Sequence, residues 1–394
     1  MNLPELFPRI PHGLVHGLID LEAALKKVMP LRSKHRSAIA GQVRALSEYM
    51  TMDRDSLPPD YMNQPPLLSA YLHYFLPWNL YRQGRLLAGL NLRIKPGSLI
   101  VDLGAGPLTF LLALWLSRPG MHEQELRYLG VDRSDSGLKM GRQLFRELAG
   151  AGPWQVKTES RPAGAGRRVV ADVLVMANFL NEADGGTEVR SKSRDADDEE
   201  ATFHEQLLAR WEGQVAEDAA ILLIEPGMRA SARNLFKIRE AALARGWKVE
   251  APCPHADTCP LPGMRGKAWC HFNFVPESVP LWLEQLSRRA KLPKDRASLS
   301  FLLLTRGDNP PVKVSGLSGQ PKGESFVRVV SESFDLPDWQ RGRYGCSERG
   351  LVLLQDPKAG SSSGPRPGEL LQVQWPPTPE RDKKSGALIL PRTT

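Results

Sequence analysis

The sequence lacks any apolar run that could span a membrane, and it contains very little cysteine. Its 394 residues include no uninterrupted apolar stretch of about 18, which a transmembrane helix requires. Four cysteines cannot hold so long a chain together, so a disulfide-built extracellular scaffold is excluded. Secretory and mitochondrial leader patterns are also missing, because prolines and acids interrupt the N-terminus: Pro4, Pro8, Pro11, Glu5, Asp20 and Glu22. We therefore expect a protein of the reducing cytoplasm with no membrane partner.

The remaining composition is that of an ordinary globular protein with a mild positive charge. Hydrophobic residues make up 41% and charged residues 24%, which excludes collagen-like, coiled-coil and wholly disordered chains. At roughly 150 residues per domain, the length predicts two to three domains. The net charge of +8 permits a nucleic acid partner without demanding one.

The positive charge is concentrated in two parts of the chain. Residues 1–97 contain 12 Lys/Arg against 7 Asp/Glu, and residues 251–306 contain eight against four. This distribution favours two basic surfaces that flank a cofactor cleft. The alternative is that these residues form only a solvated helical face, which is the commoner role of a charge run.

Helices are expected in the first 97 residues, and alternating strands and helices after them. Apolar residues at spacings of three and four predict helices over 12–50, broken at Pro30, and an aromatic-rich helix over 67–90. From residue 98, short apolar runs alternate with helical stretches, the pattern of a parallel sheet covered by helices. The expected strands are 98–103, 127–131, 171–177, 219–225, 247–250 and 299–305, then 325–330, 350–355 and 369–374. We therefore predict an α/β fold.

Three divisions of the chain follow from these patterns. An N-terminal helical domain covers 1–97, an α/β domain covers 98–306, and a small β extension with a partly disordered tail covers 307–394. The α/β domain contains a cysteine-rich insertion at 251–275. It also contains a polar and charged segment, 184–200, which we expect to be a flexible surface insertion.

The first candidate site is a glycine-rich turn after the first strand of the α/β domain. Residues 102–106 read Asp-Leu-Gly-Ala-Gly. Glycines between a strand and a helix N-terminus let the backbone approach a ligand closely. The second strand ends in Asp132, where an acid can bind both hydroxyls of a ribose. The Asp-Leu-Gly-Ala-Gly order resembles motif I of the class I S-adenosylmethionine-dependent methyltransferases.

That resemblance covers residues 98–306 and implies a Rossmann-like methyltransferase sheet whose last strand is antiparallel. It implies that Asp102, Gly104 and Gly106 line the methionine part of S-adenosylmethionine, and that Asp132 holds its ribose. Asn178, just after the fourth strand, would face the methyl acceptor. Leu108 stands where the motif usually has a third glycine, so a side chain there is expected to narrow the cofactor site.

The second candidate site consists of all the cysteines in the chain. They are Cys253, Cys259, Cys270 and Cys346, spaced C-x5-C-x10-C-x75-C. Four thiolates can hold Zn²⁺ tetrahedrally or an iron–sulfur cluster. Zinc ribbons usually use tight C-x2-C pairs, which are absent here, whereas wider spacing with proline after cysteine suits a [4Fe–4S] cluster. A zinc site that includes His255 or His271, and buried free thiols, remain as alternatives.

Three motifs together resemble one family. They are the glycine-rich turn, the aromatic segment 71–81, and the cysteine segment 253–272, which reads Cys-Pro-His-x3-Cys-Pro-x8-Trp-Cys-His-Phe. Over residues 10–355 the sequence is similar to the methyltransferase-like assembly factors of the mitochondrial small ribosomal subunit and their bacterial homologues. The resemblance implies that the four cysteines ligate a [4Fe–4S] cluster and that the protein contacts small-subunit (16S-type) ribosomal RNA. Without a presequence, the bacterial branch is the expected placement.

Few residues are candidates for carrying a reaction. They are Asn178, Asn181 and Glu182, although the last two also suit a polar helix start. If all four cysteines bind a cluster, none remains as the nucleophile for carbon-5 methylation of a pyrimidine. Three hypotheses stay open: a ribosomal RNA methyltransferase, a non-catalytic assembly factor that retains the fold, and a radical enzyme, whose usual C-x3-C-x2-C loop is absent. We expect a monomer off the ribosome, with Trp269 and Phe272 either stacked on bases or packed in the core.

Overall fold

The computed structural model describes residues 5–51, 56–58, 60–164, 169–180, 196–265, 268–306, 324–337, 340–356 and 364–391. The helices are α1 (His12–Val28), α2 (Ser33–Thr51), α3 (Pro65–Ala70), α4 (Leu76–Gly89), α5 (Thr109–Ser117), α6 (Asp135–Ala149), α7 (Ala196–Glu212), α8 (Arg229–Ala244) and α9 (Leu281–Arg289). The strands are β1 (Leu99–Leu103), β2 (Leu126–Asp132), β3 (Trp154–Ser160), β4 (Ala171–Ala177), β5 (Val215–Pro226), β6 (Lys248–Ala251), β7 (Phe272–Phe274), β8 (Ala297–Thr305), β9 (Glu324–Val329), β10 (Phe334–Asp335), β11 (Arg341–Ser347), β12 (Gly350–Asp356), β13 (Leu370–Gln374) and β14 (Leu388–Pro391). Within these ranges no helix has the length and hydrophobicity that crossing a membrane requires.

The first sheet has the strand order β3-β2-β1-β4-β5-β8-β6, and β7 also pairs with β8. Strands β1 to β5 pair in parallel, whereas β8 is antiparallel to both β5 and β6. This order and the reversed β8 are the arrangement of class I methyltransferases, so the predicted α/β fold is confirmed. Helices cover both faces of the sheet, which explains why its central strands are nearly continuous apolar runs.

The N-terminal helices share one hydrophobic core with the first sheet. Buried residues of α1, α2 and α4 belong to the same apolar cluster as residues of β1, β2 and β8. The other face of the sheet packs against α7 and α8. Helix α5 lies between the sheet and helices α1 and α4, and every one of its residues is buried. A helix enclosed in this way has to be apolar all round, as its sequence TFLLALWLS is.

The aromatic helix expected at 67–90 is continuous but changes its hydrogen bonding in the middle. Between α3 and α4 it forms a π-helical turn, Tyr71–Phe75, in which the N–H of Leu76 donates to the carbonyl of Tyr71. Pro77 follows immediately, and in a regular α-helix its ring would clash with the carbonyl four residues earlier. The wider π-turn leaves room for that ring. The aromatic side chains of this segment mainly fill the core.

The second sheet has the order β13-β9-β11-β12-β14, with β10 paired to β11. Val327 and Val329 of β9 point into its own small core. Arg328 lies between them in the strand and therefore faces the opposite way. Its Nε donates to the carbonyl of Pro252 at 3.1 Å, and its Nη1 donates to that of Gly368 at 2.8 Å. The second sheet thus meets the first beside Cys253.

Several elements differ from what the sequence pattern predicts. The pattern misses β3, an edge strand with mostly polar side chains, in which exposed positions alternate with partly buried ones. It also misses β11, whose sequence RGRYGCS lacks a run of apolar residues. Helix α7 begins inside 184–200, the segment expected to be an insertion, while 184–195 lie outside the described residues. The tail expected to be partly disordered includes β14.

Candidate functional site

The carboxyl ends of the parallel strands form one edge of the first sheet, and the candidate cofactor residues lie along it. Asp102 is the last residue but one of β1, Asp132 ends β2, Asn178 follows β4, and Glu225 is near the end of β5. The parallel pairing of these strands brings their ends together. In open α/β sheets, ligands bind in the crevice outside this edge.

The glycine-rich turn has the backbone that its sequence requires. Gly104 and Gly106 both have positive φ angles, 75° and 49°, which glycine adopts without strain. A Cβ on Gly104 would lie 2.6 Å from Cδ2 of Phe179, and a Cβ on Gly106 would lie 3.4 Å from Cε of Met62. The side chains of Phe179 and Met62 therefore lie against the two glycines and occupy the approach to the turn.

Asp102 is buried below the turn and is only 1% exposed. Its Oδ2 accepts a hydrogen bond from the hydroxyl of Tyr128 at 2.5 Å. Its Oδ1 is buried and has no hydrogen-bond partner within the described part of the chain. Burial raises the pKa of Asp102 to about 7, although the bond from Tyr128 opposes that shift. The carboxyl group therefore changes charge close to neutral pH and leaves one oxygen available to a donor.

Asp132 braces the same turn through both of its carboxylate oxygens. The N–H of Gly106 donates to Oδ2 at 2.9 Å, and the N–H of Ser134 donates to Oδ1 at 2.8 Å. Burial raises the pKa of Asp132, and these backbone hydrogen bonds oppose the shift. Because each oxygen can accept more than one hydrogen bond, Asp132 can hold the turn and still accept from a ribose hydroxyl.

Leu108 has the left-handed backbone of the glycine it replaces, with φ of 57°. Its side chain is fully buried in a space that two glycines leave free. A Cβ on Gly130 would lie 2.8 Å from its Cδ2, and a Cβ on Gly141 would lie 2.6 Å from its Cγ. The leucine therefore packs between β2 and α6, and it does not narrow the cofactor site as the sequence suggests.

The segment just before α3 lies over the turn, which sequence reasoning missed. Asn63 Oδ1 accepts hydrogen bonds from Ser134 Oγ at 3.0 Å and from the N–H of Ser136 at 3.2 Å. It thereby shares the capping of α6 with Ser134, whose Oγ accepts from the N–H of Gly137. With Met62 against Gly106, residues 62 and 63 cover the approach to Asp132. A lone polar residue in a proline-rich connector gave no signal of this role.

The end of β4 is a second irregular point on this edge. Asn178 has a left-handed backbone with φ of 61°, and its N–H donates to the carbonyl of Ile224 at 2.7 Å. The next turn is held by the buried Glu225, whose Oε1 accepts from the N–H of Leu180 at 2.8 Å. Asn178 therefore lies at the edge where the candidate cofactor residues end, and its role beside a methyl acceptor stays a prediction. The other two candidates, Asn181 and Glu182, lie outside the described residues.

All four cysteines line one cavity, located between α8, β8 and the second sheet. The cavity is partly open to solvent. Cys346 comes from β11 of the second sheet and is buried, whereas Cys253, Cys259 and Cys270 come from the 251–275 segment and are half-buried. The structure therefore brings together the complete set that the sequence predicts, from two different sheets.

Burial raises the pKa of all four thiols. Repulsion from neighbouring thiolates adds to the pKa shift for Cys259, Cys270 and Cys346, whereas the positive charge of Arg239 opposes it for Cys253. For Cys259 the pKa rises to about 11, and for Cys270 and Cys346 it rises well above the usual value. These thiols stay protonated at neutral pH unless a bound cation supplies compensating charge.

Two arginines, Arg239 and Arg328, line the same cavity. Burial lowers the pKa of Arg328 to about 10, so it remains charged at neutral pH. Arg239 Nη2 donates to the carbonyl of His255 at 3.0 Å and to that of Asp257 at 2.8 Å. The cavity thus joins four potential thiolates to two fixed positive charges, which suits a group whose net charge with its ligands is negative.

The two histidines near the cysteines make different contacts. His255 Nε2 is 3.4 Å from Cys346 Sγ. The ring of His271 stacks on Trp269, with centroids 4.8 Å apart. Over the ranges that the structure describes, no group of three or more His, Cys, Asp or Glu side chains forms a site for a metal ion.

The two aromatic residues considered for base stacking differ in exposure. Phe272 is fully buried and packs against Phe7 and Phe301, with centroids 5.3 and 5.7 Å away, so it belongs to the core. Trp269 is half-buried, and Arg229 lies over its ring at 4.6 Å. Its Nε1 donates to the carbonyl of Gly227 at 3.1 Å. Trp269 therefore connects the cysteine segment to the end of β5.

Comparison with known families gives a match to one of them. Residues 92–279 match the family model Rsm22, mitochondrial small ribosomal subunit Rsm22. This segment is similar to the Rsm22 family. Rsm22 is a methyltransferase-like family, so the resemblance expected from the sequence is confirmed. The Rsm22 match includes the glycine-rich turn, strands β1 to β7, and three of the four cysteines. No curated protein sequence matches the chain.

Solved structures with a similar chain path are described as methyltransferases or related enzymes. A class I S-adenosylmethionine-dependent methyltransferase from Listeria monocytogenes is 11% identical, with a TM-score of 0.36, and the match covers 79% of this chain and 90% of that one. The cyclopropane synthase MmaA2 from Mycobacterium tuberculosis is 13% identical, with a TM-score of 0.34, over 68% and 98%. A methyltransferase from Geobacter sulfurreducens in complex with S-adenosyl-L-homocysteine is 14% identical, with a TM-score of 0.33, over 59% and 91%.

Proposed function

We propose that this protein is a methyltransferase-like factor of the small ribosomal subunit that binds S-adenosylmethionine and holds a [4Fe–4S] cluster. The observation that carries the proposal is the gathering of four cysteines from two sheets around one cavity. That cavity adjoins a methyltransferase-type sheet, and three of the cysteines lie in the segment that matches Rsm22. The association with the small subunit rests on that family match.

Two features of the cysteine cavity support an iron–sulfur cluster. The cavity is lined by four thiols, and it contains two buried arginines that offset negative charge. Cys253, Cys259, Cys270 and Cys346 would be the ligands, and the cluster would supply iron–sulfur bonds that link the two sheets. A reducing cytoplasm, where thiols remain free, suits such a site.

Anaerobic purification of the full chain tests the cluster. We expect a brown protein with absorbance in the sulfide-to-iron charge-transfer region. A colourless protein that carries one zinc ion per chain would contradict this part of the proposal and support the alternative site.

The turn at the edge of the first sheet fits S-adenosylmethionine. Gly104 and Gly106 let the backbone approach a ligand, Asp102 has a buried oxygen without a partner, and Asp132 can accept from ribose hydroxyls. The bound cofactor would supply an electrophilic methyl group, and Asn178 would contact the methyl acceptor. Calorimetry with S-adenosylmethionine tests the assignment: Asp132→Ala should weaken binding by about tenfold or more, the loss of a charge-assisted hydrogen bond. Equal binding by both proteins would refute the role of Asp132.

Ribosomal RNA methylation is a second candidate function. Asn178 favours it, because a left-handed non-glycine residue at the end of β4 is a strained position of the kind found at active sites. Mapping of ribosomal RNA methylation in a deletion strain and its parent decides between catalysis and assembly. A methyl group missing from the deletion strain supports catalysis. Unchanged methylation together with incomplete small subunits supports a non-catalytic factor.

A further inference from the structure

Two segments of the chain carry several basic residues and contain no acidic residue. Residues 30–47 carry four Lys/Arg and residues 285–294 carry four more, and neither segment contains an Asp or Glu. The two segments are about 250 residues apart in the sequence, so the sequence alone suggests two separate surfaces.

The structure joins the two segments side by side. Arg44 Nε in α2 donates to the carbonyl of Ala290 at 3.2 Å, and Arg289 Nη2 in α9 donates to the carbonyl of Arg36 at 3.4 Å. Most of the basic side chains here are exposed: Arg32, Lys34, Arg36, Arg288, Arg289, Lys291 and Lys294. We name these seven residues the α2–α9 basic surface.

Helix α9, which carries Arg288 and Arg289 of this surface, is held firmly in place. Trp78 Nε1 donates to Ser287 Oγ at 3.2 Å, and Trp282 Nε1 donates to the carbonyl of Leu18 at 3.2 Å. Tyr74 OH donates to the carbonyl of Leu292 at 2.8 Å. The spacing of the positive charges is therefore fixed by buried aromatic anchors, which limits the entropy lost when a partner binds.

The surface lies near the edge of the sheet that carries the candidate cofactor site. The chain passes from Arg289, the end of α9, into β8, which begins at Ala297 and runs antiparallel to β5. Leu299 pairs with Pro226, the last residue of β5. The loop between α9 and β8, with Lys291 and Lys294, therefore arrives at the carboxyl edge of the sheet.

We infer that the α2–α9 basic surface binds the phosphate backbone of RNA and brings that RNA to the cofactor edge. Seven exposed cations gathered on one surface repel one another, and a polyanion would relieve that repulsion. Glu284 offsets part of the charge of Arg288, with its Oε2 3.4 Å from Nη2 of the arginine. The first turn of α2 has basic residues and no acid, so the positive end of the helix dipole adds to the field. This inference rests on the proposed association with the small subunit and assigns the surface that makes the contact.

Binding of the full chain to small-subunit ribosomal RNA and to intact small subunits, measured over a series of salt concentrations, tests the inference. The test variant is Lys34→Glu with Arg288→Glu, one reversal on each helix, because neither side chain makes the contacts that join α2 to α9. The matched control is Lys157→Glu with Lys383→Glu, an equal charge change at exposed positions on β3 and near β14. Circular dichroism checks that both variants fold.

We expect the wild type to bind RNA with an affinity that falls steeply as salt rises. The test variant should lose at least about tenfold in affinity, with a salt dependence shallower by about two counterions, while the control should stay within about twofold. Equal loss in both variants, or none in either, overturns the assignment of the surface. Binding to subunits but not to free RNA indicates a ribosomal protein partner and also overturns it. Failure of the wild type to bind either target refutes the proposed function itself.

Discussion

The glycine turn and the cysteine cavity are two candidate sites built in opposite ways. The turn uses neighbouring strand ends of one sheet, and its groups are held by local backbone hydrogen bonds, as between Asp132 and Gly106. The cavity uses residues from both sheets, and Cys346 reaches it only because β11 pairs with β9 beside Arg328. The first site is complete without a ligand, whereas the second consists of protonated thiols around a space.

This difference indicates that the two sites depend on their ligands to different degrees. The turn is braced by hydrogen bonds within the chain, so its conformation does not depend on a cofactor. The four cysteines around the cavity would link the two sheets only through bonds to a cluster, because they are not bonded to one another. For such a site the binding free energy becomes folding free energy. The predictions below test this contrast.

The largest effect is expected for the cysteine cavity. Cys346→Ala should abolish iron binding and remove a link between the sheets, with a loss of stability on the order of 10 kcal/mol, the scale of structural metal sites. Hydrogen exchange should show fast exchange in β9 and β11 while β1 to β5 stay protected. The control is Val352→Ala, which removes a buried side chain of the second sheet without touching the cavity. If iron content also falls in the control, the iron depends on folding of the sheet rather than on Cys346.

The next effect concerns Asp102 and the pH dependence of stability. Its pKa in the folded protein, about 7, lies above the usual value of 3.8, so the folded state binds more protons between these limits. The contribution of Asp102 to stability should therefore be largest at low pH and should fall by up to about 4 kcal/mol as pH rises from about 4 through 7. Asp102→Asn keeps an acceptor for Tyr128 and removes this loss. We expect the stability of the variant relative to wild type to increase from pH 5 to pH 8 in urea denaturation.

Exposed Asp135 provides the comparison for that measurement. Asp135→Asn removes an exposed carboxylate at the start of α6 and leaves the buried group below the turn in place, so it controls for the loss of one carboxylate. A pH dependence in Asp102→Asn no different from that of wild type would contradict the assignment of a neutral, buried carboxyl group below the turn.

A smaller effect separates packing from cofactor binding at Leu108. Leu108→Gly removes a fully buried side chain and relieves a left-handed backbone, so we expect a net loss of about 2 kcal/mol in thermal or urea unfolding. S-adenosylmethionine affinity should change by less than about twofold, because the side chain packs toward Gly130 and Gly141. A large gain in affinity would mean that Leu108 does narrow the site.

The smallest effect is expected for Phe179, whose ring contacts the glycine turn. Phe179→Ala should open the approach to Gly104 and tighten S-adenosylmethionine binding by a few-fold, about 1 kcal/mol, with little change in stability because the side chain is only half-buried. Phe203→Ala, in α7, is the control for loss of a partly buried ring elsewhere. Weaker binding in Phe179→Ala would show instead that the ring contacts the bound cofactor.

The sequence predicts the first sheet well, because strong local patterns mark it, while the roles given to the residues of both sites stay predictions. Apolar runs marked β1, β4 and β5, and the glycines marked the turn. The cysteines were visible as a set from their number and spacing. Other features depend on tertiary packing, which no local pattern records. These are the position of Asn63 over the turn and the burial of Phe272. The Leu108 side chain likewise packs between β2 and α6 because Gly130 and Gly141 leave space for it. The joining of α2 and α9 into one basic surface is also visible only in the structure.

The central claim is that one cluster joins the two sheets through all four cysteines. Mössbauer spectroscopy of the full chain, reconstituted anaerobically with ⁵⁷Fe and sulfide, tests it most directly. The account predicts about four iron atoms per chain in the signal of a thiolate-ligated [4Fe–4S] cluster, and loss of that signal in Cys346→Ala. A wild-type protein that binds no iron, or a cluster signal that is unchanged in Cys346→Ala, would contradict this claim.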